Sequence, residues 1–264
     1  GDGTYDPKDY VGGGSLDVVP IKLVGAETME TASDDWYADF DLDGVADIAL
    51  GRLPVRSPQE VSKIAAKIIA FERGPRFDSA VLVSDVDRIY DFDGATQNVG
   101  SQIPGSVRVD QVSRNRMGDA AARAKILESI SAGSTLINYI GHGTLRAWNG
   151  GLLTADDAAR LLNADRPALF VLMTCLNGLF QNLDTDSLAE SLVKSDAGAA
   201  AVWASSGLTK SNEQVLMNQE LVRQLFAEDV TTIGEAIKRA KMHVSDPDIR
   251  RTWIFFGDPA MGIR

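Results

Sequence analysis

Two apolar stretches decide the fold of this chain: residues 136–143, LINYIGHG, and residues 168–175, ALFVLMTC. Each stretch is a continuous apolar run of strand length that ends abruptly in small or polar residues. Such runs predict strands buried on both faces, and these strands are typical of parallel sheets covered by helices. The first run ends at His142, between two glycines, and the second ends at Cys175.

The same pattern continues on both sides of these two runs. Further strands are predicted at residues 80–84, 107–112, 199–205 and 252–256, with helices at 95–102, 120–131, 156–162, 188–194, 213–226 and 233–244. Apolar strands that alternate with helices build α/β folds around a mostly parallel sheet. We therefore predict such a fold for residues 76–264.

The first part of the chain has a different composition, since it is rich in Gly and Asp. It has short predicted strands at residues 18–24 and 48–50, and one helix that begins after Ser57 and Pro58. An N-cap serine followed by proline is typical of a helix start. The helix should end at Gly74-Pro75. We place a boundary there, between a smaller α/β subdomain at residues 1–75 and the larger one at residues 76–264.

Charge and hydropathy exclude some classes of protein. The chain of 264 residues has 37 acidic and 26 basic residues and a formal net charge of −11. Binding to nucleic acid needs clustered cations that displace phosphate counterions, and docking on an anionic membrane needs clustered cations as well. We therefore expect neither kind of partner. No apolar run reaches 18 residues, so we expect no membrane insertion. The opening Gly1-Asp2-Gly3 is typical of a piece of a longer protein.

His142 and Cys175 follow strands that are separated by one strand–helix unit, so the two strands should be neighbours. The carboxyl ends of parallel strands are where open α/β folds place their sites, and neighbouring strands lie about 5 Å apart. An imidazole at this distance can take the proton of a thiol, which is mostly protonated at neutral pH. The N–H of Gly143, together with that of Cys175, could stabilise an oxyanion. Taken alone, the Gly-His-Gly sequence is typical of a tight turn, and a single cysteine is typical of a core position. Their placement at the ends of two neighbouring strands favours a catalytic role.

The order of these two motifs resembles the gingipain-type family of cysteine peptidases, which are relatives of caspases. Further stretches resemble the family in the same order: residues 1–6 (GDGTYD), 33–37 (SDDWY), 47–54 (DIALGRLP), 186–190 (DSLAE) and 256–259 (FGDP). The resemblance implies a caspase-like catalytic subdomain at residues 76–264, preceded by a smaller one. It also implies that His142 and Cys175 are catalytic and that Gly143 is the oxyanion donor.

The resemblance implies roles for three more acids. In the family, an acid at the end of the first strand of the catalytic subdomain orients the histidine, and here that acid is Asp85. In the basic-specific members, an acid from the same loop, just before the next helix, binds the Arg or Lys that precedes the scissile bond. Asp93 stands closest to that place and Asp91 comes second. Residues 205–208 lack the aromatic that the family places near this pocket, so specificity could differ.

A run of alternate acids predicts a cation site. Asp39, Asp41, Asp43 and Asp47 occupy positions 1, 3, 5 and 9 around a glycine at position 6. This spacing turns carboxylates toward one centre, as at the front of a calcium loop. Position 12 is Leu50, so the loop is not an EF-hand. The alternative is an exposed acidic turn. Gingipain-like enzymes bind calcium, so the resemblance implies a structural Ca²⁺.

These observations predict a cysteine endopeptidase that acts on protein or peptide substrates through a thioester on Cys175. One alternative is a transpeptidase or sorting enzyme of the same fold, and another is an inactive binding module. A flavodoxin-like nucleotide binder is disfavoured because no glycine-rich phosphate loop follows the strand at residues 80–84. The resemblance further implies an exported protein, extracellular or at the cell envelope, made as a zymogen with a pro-segment.

Overall fold

The computed structural model describes residues 19–75 and 77–263. The strands are β1 Lys22–Gly25, β2 Glu30–Ser33, β3 Ser79–Ser84, β4 Arg108–Ser113, β5 Leu136–Ile140, β6 Ala168–Met173, β7 Ala199–Ser205 and β8 Trp253–Phe256. The helices are α1 Pro58–Arg73, α2 Phe92–Gly100, α3 Arg114–Met117, α4 Asp119–Ser131, α5 Ala155–Ala158, α6 Leu188–Lys194, α7 Ser211–Leu225, α8 Ile233–Met242 and α9 Pro247–Thr252. Within these residues, no helix has both the length and the apolar character needed to cross a bilayer.

The main sheet has six strands in the order β4-β3-β5-β6-β7-β8. All neighbouring pairs are parallel except β7 and β8, which are antiparallel. β1 and β2 form a separate antiparallel pair. The predicted α/β fold with a mostly parallel sheet is confirmed.

Two apolar cores cover the two faces of this sheet. Leu169 and Val171 of β6 lie in one core with residues of α2, α7 and α8. Phe170 and Leu172 lie in the other, with residues of α4 and α6. Because successive side chains of a strand point to opposite faces, a strand covered on both sides must be apolar at every position. This requirement explains why β6 was recognisable as a continuous apolar run.

Helix boundaries differ from the predictions where side chains cap the ends. α2 begins at Phe92, three residues earlier than predicted, because Asp91 is its N-cap and accepts a hydrogen bond from the Gly94 N–H at 2.8 Å. A Cβ on Gly94 would lie 2.3 Å from a carboxylate oxygen of Asp91, so glycine makes room for the cap. α5 has a single turn because the Arg160 N–H bonds the Asp157 carbonyl, an i to i−3 contact that tightens the helix end.

The predicted strand at residues 48–50 is wrong. The chain there finds no partner strand, and pairing is limited to an isolated parallel bridge between Arg52 and Phe256. The backbones come very close at this point, since a Cβ on Gly51 would lie 2.2 Å from the Gly257 carbonyl oxygen. β2, α3 and α9 were not predicted, because short segments carry little periodicity. Residues 1–18, with the GDGTYD stretch and the first residue of the strand predicted at 18–24, lie outside the described residues.

The described part of residues 19–75 packs against the main sheet and its helices. Thr31 donates a hydrogen bond to the Ser206 carbonyl at 2.6 Å, and Lys67 on α1 donates to the carbonyls of Leu192, Val193 and Ala197 around the end of α6. α1 also contributes side chains to both cores. The boundary at Gly74-Pro75 remains a prediction.

Candidate active site

The two strands that carry His142 and Cys175 are neighbours, as the sequence predicted. Ile140, the last residue of β5, pairs with Met173, the last residue of β6. The Gly141 N–H donates to the Met173 carbonyl at 3.1 Å, which holds the two strand ends together. A Cβ on Gly143 would lie 2.5 Å from Thr174 Oγ1, so only glycine allows the histidine loop to lie this close to the cysteine loop.

Asp87 contacts the His142 imidazole. Its Oδ2 lies 2.5 Å from Nε2, and the edge-to-face ring of Phe92 supports the imidazole at a centroid distance of 5.3 Å. The hydrogen bond with His142, followed by the backbone N–H groups of Ile89 and Tyr90, lowers the pKa of Asp87 to about 2. The carboxylate is therefore ionised at all ordinary pH values. Because Asp87 contacts Nε2, the ring nitrogen left for another partner is Nδ1.

Asp85, the acid predicted to orient His142, contacts the backbone of this histidine rather than its ring. Its buried carboxylate accepts hydrogen bonds from the His142 N–H at 3.0 Å, from Arg114 Nη1 at 2.7 Å and from Asn149 Nδ2 at 3.1 Å. The Asp85 N–H bonds the Ile140 carbonyl, which brings its short side chain against the main chain after β5. Asp85 therefore fixes the histidine loop, and the contact with the ring belongs to Asp87.

The carbonyl of His142 is fixed as well, by residues that the sequence did not single out. It accepts hydrogen bonds from the Tyr139 hydroxyl at 2.7 Å and from the Asn149 N–H at 2.9 Å. The Tyr139 ring stacks on Trp148 with centroids 4.2 Å apart. Burial, followed by the charge of Asp85, raises the pKa of Tyr139, so its hydroxyl keeps the proton that it donates.

The thiol of Cys175 contacts the loop after β7. Its Sγ accepts a hydrogen bond from the Thr209 N–H at 3.3 Å and lies 3.5 Å from Thr209 Oγ1. Within residues 19–75 and 77–263, no hydrogen bond joins this sulfur to the His142 ring. The two groups lie at adjoining strand ends, after Ile140 and Met173.

Gly143, the predicted oxyanion donor, lies in the loop that leads from β5 to Trp148. Gly143 and Trp148 form an isolated antiparallel bridge whose hydrogen bonds come from the Thr144 and Asn149 N–H groups. This places Gly143 in a non-hydrogen-bonded pair. Its N–H has no acceptor among the described residues, while buried Asn177 ties the two loops together by donating to the Thr144 carbonyl at 2.5 Å.

Asp91 and Asp93 both have structural partners. Asp91 caps α2, and Asp93 accepts hydrogen bonds from the hydroxyls of Ser84 and Ser113, the latter at 3.0 Å. Burial opposes ionisation of Asp93, yet these hydroxyl bonds lower its pKa. The two acids line a cavity of about 270 Å³ formed by residues 85–93 and Asn115. The cavity lies beside the His142 loop, because Asp85 and Asp87 also line it.

The acidic loop brings together three of its four predicted ligands. Carboxylate oxygens of Asp39, Asp41 and Asp43 lie within 4.8 Å of one another. Leu42 and Gly44 adopt left-handed φ values of 62° and 83°, which bend the chain around this point. Asp47 does not join the group, because its carboxylate accepts a hydrogen bond from the Phe40 N–H at 2.8 Å. Three clustered carboxylates match the oxygen ligands that Ca²⁺ prefers.

The sheet order, with histidine and cysteine at the ends of two adjoining parallel strands, defines a caspase-like α/β fold with a site of the cysteine-peptidase type. The model of Peptidase family C25 matches residues 1–264. The chain therefore belongs to this family, and its resemblance to the gingipains is confirmed.

Individual gingipains share the fold at low sequence identity. Gingipain R2 of Porphyromonas gingivalis is 24% identical over 155 residues, which cover 53% of this chain and 21% of that protein. The crystal structure of the Arg specific cysteine proteinase gingipain R (RGPB) superposes with a TM-score of 0.81 at 18% identity, covering 93% of this chain and 62% of that one.

A second structure, the complex of the Porphyromonas gingivalis RgpB pro- and mature domains, gives a TM-score of 0.78 at 19% identity. It covers 88% of this chain and 61% of that chain. The chain thus spans less than two thirds of the relatives that it matches.

Proposed function

We propose that this chain is the catalytic part of a cysteine endopeptidase, with Cys175 as the nucleophile and His142 as the acid–base group. The observation that carries the proposal is the pairing of β5 with β6, which places both residues at adjoining strand ends. Membership of Peptidase family C25 supports the same chemistry. The substrates would be proteins or peptides.

The arrangement supports a thioester route. Once the Cys175 side chain rotates, its thiol gives its proton to Nδ1 of His142 and the sulfur attacks the carbonyl carbon of the scissile bond. The Gly143 N–H donates to the oxyanion of the tetrahedral intermediate. His142 then protonates the leaving amine, and afterwards takes a proton from the water that hydrolyses the thioester. Asp87 holds the ring throughout.

Replacement of either residue tests the dyad. Cys175→Ala should abolish peptide cleavage, because this cysteine supplies the attacking sulfur. His142→Ala should reduce cleavage by at least about a hundredfold, the lower end of acid–base contributions. His243→Ala is a matched control, since the second histidine of the chain lies exposed at the end of α8. Full activity in Cys175→Ala would refute the assignment of Cys175 as the nucleophile. Full activity in His142→Ala would refute the assignment of His142 as its acid–base partner.

We further propose that the cavity beside His142 accepts the side chain before the scissile bond, with a preference for Arg or Lys. Asp93 is the first candidate to bind it and Asp91 the second. Both carboxylates line the cavity, and a charge-assisted hydrogen bond to a guanidinium is worth about 1.5–3 kcal/mol. The hydroxyl partners of Asp93 would orient the carboxylate and leave further lone pairs for the substrate.

A pair of fluorogenic peptides, one with Arg and one with a neutral side chain before the bond, tests this preference. Asp93→Asn should lower the ratio of their kcat/KM values by about one to two decades. Asp91→Asn is the matched comparison, because it removes a neighbouring charge while its amide oxygen can still cap α2. An unchanged ratio in Asp93→Asn, or no preference for Arg in the wild type, would refute this part while leaving the dyad untouched.

We also propose that Asp39, Asp41 and Asp43 hold a structural Ca²⁺. A ligand held only by the folded state stabilises it, so EGTA should lower the melting temperature and added calcium should restore it. Asp41→Asn should lose most of this response. Asp47→Asn should keep it, because Asp47 lies outside the group. Absence of any response in the wild type, with no metal found by elemental analysis, would count against calcium.

We infer export and activation of the parent protein from the same relatives. Gingipain R has been solved as a complex of its pro- and mature domains. A location outside the cell or at its envelope, and synthesis with a pro-segment, follow by analogy. Sequencing the N-terminus of the native protein in culture medium and in envelope fractions would test both, and an unprocessed protein confined to the cytosol would contradict them.

A further inference from the structure

The loop after β7 surrounds the thiol of Cys175 with three atoms of one residue. The Thr209 N–H donates to Sγ at 3.3 Å, Thr209 Oγ1 lies 3.5 Å from the sulfur, and the Thr209 carbonyl oxygen lies 3.8 Å away. Two backbone bonds hold this loop against the cysteine loop, Leu176 N–H to Gly207 carbonyl and Gly178 N–H to Ser205 carbonyl. The contact between thiol and Thr209 is therefore built into the backbone.

The direction of the hydrogen bonds follows from Gln214, a residue of α7 that is 1% exposed. Its amide contacts the Met173 carbonyl at 3.1 Å and Thr209 Oγ1 at 2.8 Å. A carbonyl can only accept, so the amide NH₂ must face Met173 and the amide oxygen must face Thr209. The amide oxygen also only accepts, so the hydroxyl of Thr209 donates its single proton to Gln214.

This direction determines what the thiol meets. With its proton given to Gln214, Thr209 Oγ1 presents a lone pair to Sγ. A neutral thiol can donate its S–H to that lone pair, whereas a thiolate would face it without a proton between them. The arrangement therefore holds the sulfur against Thr209, a position in which no hydrogen bond within residues 19–75 and 77–263 joins it to the His142 ring.

We propose that Gln214, acting through the hydroxyl of Thr209, holds the Cys175 thiol on the loop after β7 until a substrate displaces the contact. Both are positioning residues, and the proposal rests on Cys175 being the nucleophile. Thr209 is half-buried between exposed Leu208 and Lys210, so a peptide lying across the strand ends would meet this loop. The Met173 carbonyl that orients Gln214 also accepts the Gly141 N–H, which links the device to the histidine loop.

The rate of alkylation of Cys175 by iodoacetamide, measured against pH without any substrate, tests the proposal. Gln214→Met releases the Thr209 hydroxyl to donate to the sulfur, which stabilises the attacking thiolate, so alkylation at pH 7 should become faster. The expected gain is about threefold, because a larger reactive fraction is partly offset by weaker nucleophilicity. Thr209→Val should give a smaller gain, and Thr209→Ser should behave as the wild type.

The double variant separates this device from a general loosening of the site. In the Thr209→Val background, Gln214→Met should add nothing, because the hydroxyl through which it acts is gone. Gln224→Met removes another amide from the same helix and should leave alkylation unchanged. Slower or unchanged alkylation in folded Gln214→Met, or an equal gain in the Thr209→Val background, would overturn the proposal.

If Gln214→Met does not fold, the comparison of Thr209→Val with Thr209→Ser decides, and equal rates in these two would reject the device. Peptide cleavage by Cys175→Ala addresses the proposed function separately. Full cleavage there would refute the nucleophile, whereas the alkylation rates bear only on the state of the thiol.

Discussion

At the scale of single residues, His142 is fixed by contacts on its backbone and on its ring. Asp85 accepts from its N–H, Tyr139 and Asn149 donate to its carbonyl, and Asp87 contacts Nε2. Acid–base catalysis needs this restraint, because a misplaced ring loses much of the benefit of proximity. In the proposed mechanism, the remaining ring nitrogen, Nδ1, exchanges protons with the thiol and with the leaving amine.

Asp87→Asn should lower kcat for peptide cleavage by roughly tenfold to a few hundredfold, with little change in KM. The amide can still contact the ring but no longer stabilises the positive charge that the imidazole gains during the reaction. Steady-state kinetics on one neutral fluorogenic peptide measure the effect. The melting temperature serves as the control for folding. An unchanged kcat would show that Asp87 has no part in the reaction.

At the scale of elements, α6 connects the two site loops to the rest of the molecule. The N–H groups of Leu188 and Ala189 donate to the carbonyls of Leu145 and Asn177, one in each loop. Ser187 and Glu190 form a capping box at its start. Burial, partly offset by Lys194, raises the pKa of Glu190 to about 7. The stability of α6 should therefore depend on pH close to neutrality.

Glu190→Gln should remove this dependence. Because the folded-state pKa of Glu190 is raised, its stabilising contribution is full below the unfolded value near 4.5 and is lost as pH rises through about 7. Glutamine keeps the capping box without a charge. The melting temperature of the wild type should therefore fall, relative to that of the variant, by several degrees between pH 5 and pH 8.

Glu220→Gln provides the contrasting control, because hydrogen bonding to Arg223 lowers the pKa of Glu220. The contribution of Glu220 to stability is lost only as pH falls to acidic values, below about 5. The difference in melting temperature between Glu220→Gln and the wild type should therefore stay constant between pH 5 and pH 8. A parallel rise in both variants would contradict the assignment to Glu190.

At the scale of the whole molecule, a buried ion pair joins the described part of residues 19–75 to α8. Lys241 of α8 binds Asp35 at 2.6 Å, and Arg52 binds Asp34 at the same distance within the segment itself. Burial raises the pKa of Asp35, with Lys241 opposing the shift. Each partner is costly to leave alone, because an unpaired charge in a buried position is strongly destabilising.

Lys241→Met should lower the free energy of unfolding by about 3–5 kcal/mol, because Asp35 is then buried without its partner. This loss of stability should grow as pH rises through the folded-state pKa of Asp35, because the folded variant must then hold an ionised carboxylate without its lysine partner. Urea unfolding at several pH values measures both effects.

Two variants complete this test. Lys238→Met, on the same helix, breaks a partly exposed pair with Glu235 and should cost no more than about 1 kcal/mol. Adding Asp35→Leu to Lys241→Met should recover part of the loss. Equal costs for the two lysines would show that the buried pair does not join this segment to α8.

The sequence by itself determined the sheet and the place of the site. β5 and β6 had to be apolar at every position because helices cover both faces, so they were visible as continuous runs. The residues after them, His142 and Cys175, followed from chain order alone, since neighbouring parallel strands end at the same edge. The glycines around His142 were informative for the same reason, because close approach of two loops needs a missing side chain.

Only the tertiary structure decided which polar groups meet. Asp85 and Asp87 stand two residues apart in one loop. Because of the path of that loop after β3, Asp87 contacts the ring of His142 and Asp85 contacts its backbone. Three aspartates of the acidic loop lie together, while the carboxylate of Asp47 accepts a hydrogen bond from the Phe40 N–H instead. The thiol of Cys175 contacts Thr209, which lies 34 positions further along the chain. Strands follow from local hydropathy, whereas these contacts depend on directions and distances between segments that no local pattern encodes.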